Sequence, residues 1–161
     1  RFRPEKPEGM EKESTMDSEL PQSLMEAMAT EPLWLQAWVG VLMAVNLAAL
    51  FFVARRESGG WKIRWEPVAI LVSFFGAAIA MDALYAAVGY VRLLGLAHLV
   101  FWGPVWGWIL WHRAQYPPRN AFGVYLHAYL VIAGISLVID ALDVVRYLLG
   151  DGELLGRWSG S

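Results

Sequence analysis

The stretch FGVYLHAYLVIAGISLVIDALDVVRYLL, Phe122–Leu149, decides how the rest of the chain is read. A bilayer-crossing helix takes roughly 20 mostly apolar residues, and this run exceeds that. Its polar residues are ordered. Tyr125, Tyr129, Ser136, Asp140, Asp143 and Tyr147 follow steps of three, four or seven. At about 100° per residue they fall on one face of a helix. Such a stripe is costly against lipid. It should face the interior of a bundle, a subunit interface or water.

Three more runs of the same kind lie upstream, at about Leu33–Ala54, Pro67–Tyr90 and Leu93–Trp111. The first holds no ionised group, and the second holds only Asp82. Backbone groups in lipid must be paired within a helix or a closed barrel. These are continuous apolar runs, not short alternating strands, so they predict helices. The expected fold is an all-α integral membrane protein, a four-transmembrane-helix bundle. Composition agrees. Of 161 residues, 57% are hydrophobic and 17% charged, against about 45–50% and 25% in a soluble domain. The mean hydropathy is +0.41. Nine tryptophans reinforce the reading. Trp34, Trp38, Trp61 and Trp65 mark helix ends, as expected at headgroup depth. Trp102 and Trp106 sit too deep for a belt and should pack between helices or face lipid.

Outside the membrane domain, expected over residues 32–150, three segments remain. Residues 1–18 read as a disordered acidic tail. Residues 19–31 read as a short amphipathic helix on the outer surface. Ser18 would cap it, Pro21 suits its first turn, and Leu20, Leu24, Met25 and Met28 repeat at helical spacing. Residues 151–161 form a C-terminal tail. Ser58-Gly59-Gly60, Pro117-Pro118 and Gly150-Asp151-Gly152 punctuate the loops.

Orientation follows from loop charge. Arg55, Arg56, Lys62 and Arg64 lie between the first two helices, and Arg113 and Arg119 between the last two. Residues 13–31 carry five acids and no positive residue. Loops 55–66 and 112–121 are therefore expected in the cytoplasm, with both termini outside an inner or plasma membrane.

Several chemistries are excluded. There is no cysteine, so thiolate catalysis, disulfides and iron–sulfur clusters are out. The formal net charge is −2 with no basic stripe, which argues against nucleic acid. No helix carries arginine at every third position, as a voltage sensor requires. No nucleophile elbow or phosphate loop is present, so no catalytic residue is assigned. His98 and His127 fall in opposite halves of the expected bilayer, and His112 with His127 is a poor haem pair. No cofactor is expected.

The polar residues inside the spans carry what remains. Antiparallel topology puts Asp82, His98, Asp140 and Asp143 in the outer half, with Ser136 further along the stripe. Arg92 and Arg146 lie near the rim as counter-ions. This cluster admits three readings: a structural ion-pair network such as Asp82–Arg146 or Asp143–Arg92, a proton or cation path, or a metal site of His98, Asp82 and Asp140. Small residues at Gly40, Gly76, Ala80 and Gly103-x-x-x-Gly107 predict close helix packing. Two functions follow as expectations. One is an ion- or proton-conducting bundle, oligomeric because four helices rarely enclose a pore. The other is a non-catalytic accessory or scaffold subunit whose stripe meets a partner helix.

Overall fold

A computed structural model of the protein describes residues 23–88 and 92–150. The tails expected at 1–18 and 151–161, the start of the 19–31 segment, and the 89–91 connection lie outside the described residues.

The first element is a short helix, α1 (Leu24–Ala29), capped by Ser23, whose Oγ accepts the Glu26 N–H at 3.2 Å. The expected Ser18 cap and Pro21 lie outside the described residues. Pro32 then opens α2 (Leu33–Leu47), and Gln36 ties the two together by donating to the carbonyls of Ala29 and Glu31. From Ala48 to Phe52 the helix tightens into a 3-10 turn.

The first span was expected to continue to Ala54. Instead Ala54 opens β1 (Ala54–Glu57), which pairs antiparallel with β2 (Gly60–Ile63). The connection is Ser58-Gly59, and Gly60 sits at φ +130°, a backbone that side chains rarely accept. Pairing sets Arg55 opposite Lys62 and Arg56 opposite Trp61. Because side chains alternate across a strand, Arg55, Glu57 and Lys62 share one face. Lys62 Nζ lies 2.6 Å and Arg55 Nη1 3.7 Å from the Glu57 carboxylate. The hydrogen bond and charge of Lys62 hold that carboxyl below the usual range. Trp61 and Ile63 stand exposed on the other face.

Three longer helices follow: α3 (Trp65–Val88), α4 (Gly95–Trp111) and α5 (Ala121–Leu148). α3 starts two residues before the expected Pro67. The first turn's N–H groups have no acceptor within the helix, so proline costs nothing there. α4 starts two residues late, because Arg92–Leu94 form a 3-10 turn. Asn120 caps α5, its side chain accepting the Gly123 N–H at 2.9 Å.

α4 packs between α3 and α5, while α2 and its 3-10 turn lie across α5 and α3. One buried cluster centres on Tyr129, Ile70, Ile109, Leu126 and Ala49. A second joins Leu42, Ala77, Trp102 and Leu137. Phe52 stacks on Tyr125 at 4.8 Å, and the Arg64 guanidinium sits 4.1 Å over the Phe122 ring.

Three stretches are long and apolar enough to cross a membrane: Leu33–Phe52, Trp65–Ala87 and Ala121–Leu148. α4, with 17 residues, gives about 25 Å of helix, short of the ~30 Å hydrocarbon core. In the three long stretches only 17–33% of the apolar window is buried inside the protein. Val72, Ile79, Val131, Val138 and Leu142 all point outward. A helix apolar on every side, yet mostly uncovered, has the surface of a membrane span.

Three of the four glycines expected to bring helices together need correction. A methyl group added at Gly40, Gly103 or Gly107 would meet nothing within 4 Å, so no neighbour approaches there. Of the expected glycines Gly76 does sit against a neighbour, and the other close approaches are elsewhere. At Gly76 an added Cβ would lie 2.6 Å from the Phe101 ring. At Gly95 it would lie 3.0 Å from Asp140, and at Gly134 3.1 Å from Trp106. At Gly123 it would collide with the Pro117 backbone. Ala80, on α3, is half-buried.

Candidate functional site

The α5 stripe turns inward along most of its length. Tyr125, Tyr129 and Ser136 are buried, and Tyr129 is fully enclosed. Asp140, Asp143 and Tyr147 continue it as half-buried residues. At 1.5 Å per residue the run from Tyr125 to Asp140 spans about 22 Å.

Asp140 joins two of the other polar side chains. Its Oδ2 lies 3.0 Å from His98 Nδ1 and accepts the Ser136 hydroxyl at 3.4 Å. Helix periodicity supplies Ser136, one turn before Asp140 on the same face. Gly95 supplies His98, because its missing side chain lets the first turn of α4 lie against Asp140. The imidazole and carboxylate are 17% and 16% exposed, so the pair is largely withdrawn from solvent. A carboxylate at Oδ2 favours the ring with Nδ1–H toward it, leaving Nε2 as the ring's second polar atom. The Trp102 indole stacks on His98 at 4.2 Å and fixes the ring plane.

Further along the stripe, polar atoms persist inside the apolar core. The Tyr125 hydroxyl donates to the Val45 carbonyl at 3.2 Å. Asn46 Nδ2 donates to the Leu42 carbonyl at 2.8 Å, whereas its Oδ1 and the Tyr129 hydroxyl, both buried, have no hydrogen-bond partner. An unmade bond on a buried polar atom costs about 1–3 kcal/mol, so each of these two atoms has room for one more hydrogen bond.

Other expected members stand apart. Asp82 is exposed on α3 and does not share the His98–Asp140 contact. Among the described residues no ion pair joins Asp82 to Arg146, which is itself exposed. The Asp82–Arg146 bridge is therefore corrected. Asp82 points to a cavity mouth while Arg146 points outward beyond the last buried turn. The side chain of Arg92 lies outside the described residues. The metal reading of His98, Asp82 and Asp140 is also corrected: among the described residues no three such groups converge on one point. His112 and His127 each bond a carbonyl one turn back, Trp108 and Gly123, and serve their own helices.

Beside His98 lies a feature the sequence did not disclose. A cavity of about 430 Å³ opens between α1, α2, α3 and α4. Four of the chain's six methionines, Met25, Met28, Met43 and Met81, line it. Phe74 and Trp102 supply aromatic wall, and Asp82 and His98 are its ionisable groups. Helical spacing placed Met25 and Met28 on one face of α1. Nothing in the sequence says that α1 folds back over Met43 and Met81. A second, wholly apolar groove of about 510 Å³ runs between Trp34, Trp38 and Val41 of α2 and Ile135 and Ile139 of α5.

No protein-family model matches the chain, and no curated protein or solved structure matches it.

Proposed function

We propose that the protein is a four-span integral membrane protein that passes protons through its interior, with Asp140 and His98 as the exchanging pair. The observation that carries this reading is the double hold on Asp140 Oδ2, by His98 at 3.0 Å and Ser136 at 3.4 Å. Histidine is the side chain whose ordinary pKa lies nearest neutrality, which suits a His–Asp pair to proton exchange. The buried, unpartnered Tyr129 hydroxyl and Asn46 carbonyl are polar atoms such a path would use. Ser136 orients the carboxylate, and Asp143 extends the stripe toward the end of α5. α4 is the short fourth span, completed by the 3-10 turn before it. In this reading both termini lie outside, and the basic hairpin of β1 and β2 lies in the cytoplasm. The test is proton flux into liposomes containing the purified protein. Asp140→Asn is expected to abolish flux without changing the helical circular dichroism; unchanged flux removes Asp140 from the path.

The groove between α2 and α5 favours a second reading. A partner helix would cover its tryptophans and isoleucines, as in an accessory subunit or an oligomer. Native mass spectrometry after gentle extraction separates the cases. A fixed complex with an unrelated chain supports the subunit reading, and copies of this chain alone support the conducting oligomer.

A further inference from the structure

We infer that the cavity between α1 and α4 binds a lipophilic aromatic cation. Three independent properties of its wall set the chemistry. Its volume, about 430 Å³, lies within the range of roughly 300–1,000 Å³ typical of small-molecule sites. Its lining is apolar and soft: methionine sulfur and unbranched chains adapt to varied ring shapes and contact ring edges favourably. Phe74 and Trp102, stacked 6.4 Å apart, add aromatic surface whose faces attract cations.

The charge comes from Asp82. It lines the cavity, and among the described residues no cation or donor pairs with it. A carboxylate beside such a wall favours a positive guest and disfavours a negative one. His98, the other ionisable lining group, has its Nδ1 directed to Asp140, so the counter-charge falls to Asp82. The roof is α1, six residues long and joined to α2 through Thr30–Pro32. Met25 is 78% exposed there, so the roof is thin on its outer side and gives a guest a way in.

The inference does not need protons to move through Asp140. Binding is read at fixed pH with no gradient, and failure of either reading leaves the other standing. The probes are tetraphenylphosphonium and tetraphenylborate, nearly equal in shape and opposite in charge. Each is equilibrated by dialysis with the purified full chain in a neutral detergent. Tetraphenylphosphonium is expected to saturate at one per chain and to bind at least tenfold tighter than tetraphenylborate. Asp82→Asn, an exposed and conservative change, is expected to weaken the cation about fivefold or more and narrow the preference between the two ions. Ala78→Phe, which fills the cavity from α3, is expected to remove saturable binding of both. Equal affinity for the two ions, or an unaltered cation affinity in Asp82→Asn, overturns the charge assignment. Binding that survives Ala78→Phe overturns the site.

Discussion

Asp140 shows what one residue's surroundings add to its sequence position. The step of four from Ser136 placed both on one helix face, and the structure puts the Ser136 hydroxyl on the Asp140 carboxylate. The pairing with His98 follows from chain topology, since the start of α4 and the end of α5 lie at the same end of the molecule. What topology could not say is which acid takes the histidine. Gly95 favours Asp140, because a residue without a side chain lets the start of α4 lie against it without crowding. Infrared difference spectroscopy on a pH titration should show one carboxyl band lost in Asp140→Asn and shifted in His98→Gln. A band unchanged in both variants would show that Asp140 does not exchange its proton. Tyr116 offers a test outside the spans. Burial, and then its hydrogen bond to Glu66 at 2.6 Å, push its pKa from 10 up to about 12. A raised pKa contributes stability that is complete below pH 10 and is lost as pH rises through 12. Tyr116→Phe should therefore flatten the loss of thermal stability across that alkaline window and leave the neutral range little changed. An identical alkaline limb in the variant would show that the bond is not made.

At the scale of elements, the apolar periods located four helices to within a few residues. The hairpin escaped because ARRE lacks the alternation of apolar and polar residues that marks a half-buried strand, and the alternation of Trp61, Lys62 and Ile63 is too short to mark one alone. Both strands are almost wholly exposed, so no core selects their register; a two-residue turn and Gly60 do. The small-residue faces were misjudged at Gly40, Gly103 and Gly107, though not at Gly76, for a related reason. A glycine pattern says that close approach is possible, but only the neighbouring helix says whether it happens. Gly103 and Gly107 face open space, whereas Gly123 touches the backbone at Pro117. Gly123→Ala should cost about 1–3 kcal/mol or more through overpacking against rigid main chain. Gly103→Ala and Gly107→Ala should be neutral or slightly stabilising through helix propensity. Denaturant titration of the three variants checks this, and equal effects would contradict the packing of α5 on the Pro117 loop. Asn120→Ala, which removes the α5 cap, should cost about 1 kcal/mol in the same assay.

For the whole molecule, the decisive contrast is between two apolar surfaces. The inner one is filled by Tyr129, Ile70, Ile109 and Trp102. The outer one, with Phe51, Ile79, Val131 and Leu149, is uncovered. That exterior is of the kind a bilayer covers, consistent with three helices long and apolar enough to cross one. Within that frame the polar stripe is an internal feature, enclosed by the chain's own helices along its first half and reaching His98 at its end. The cavity under α1 was illegible in the sequence because it depends on four helices meeting, with all but a few of its lining residues ordinary apolar ones. The central claim, that protons pass by way of Asp140, is tested most directly in liposomes with an imposed pH gradient and an ionophore to balance charge. The wild-type protein should collapse the gradient, and Asp140→Asn should hold it as well as empty vesicles do. Collapse at the same rate in both, with both folded, would contradict the account.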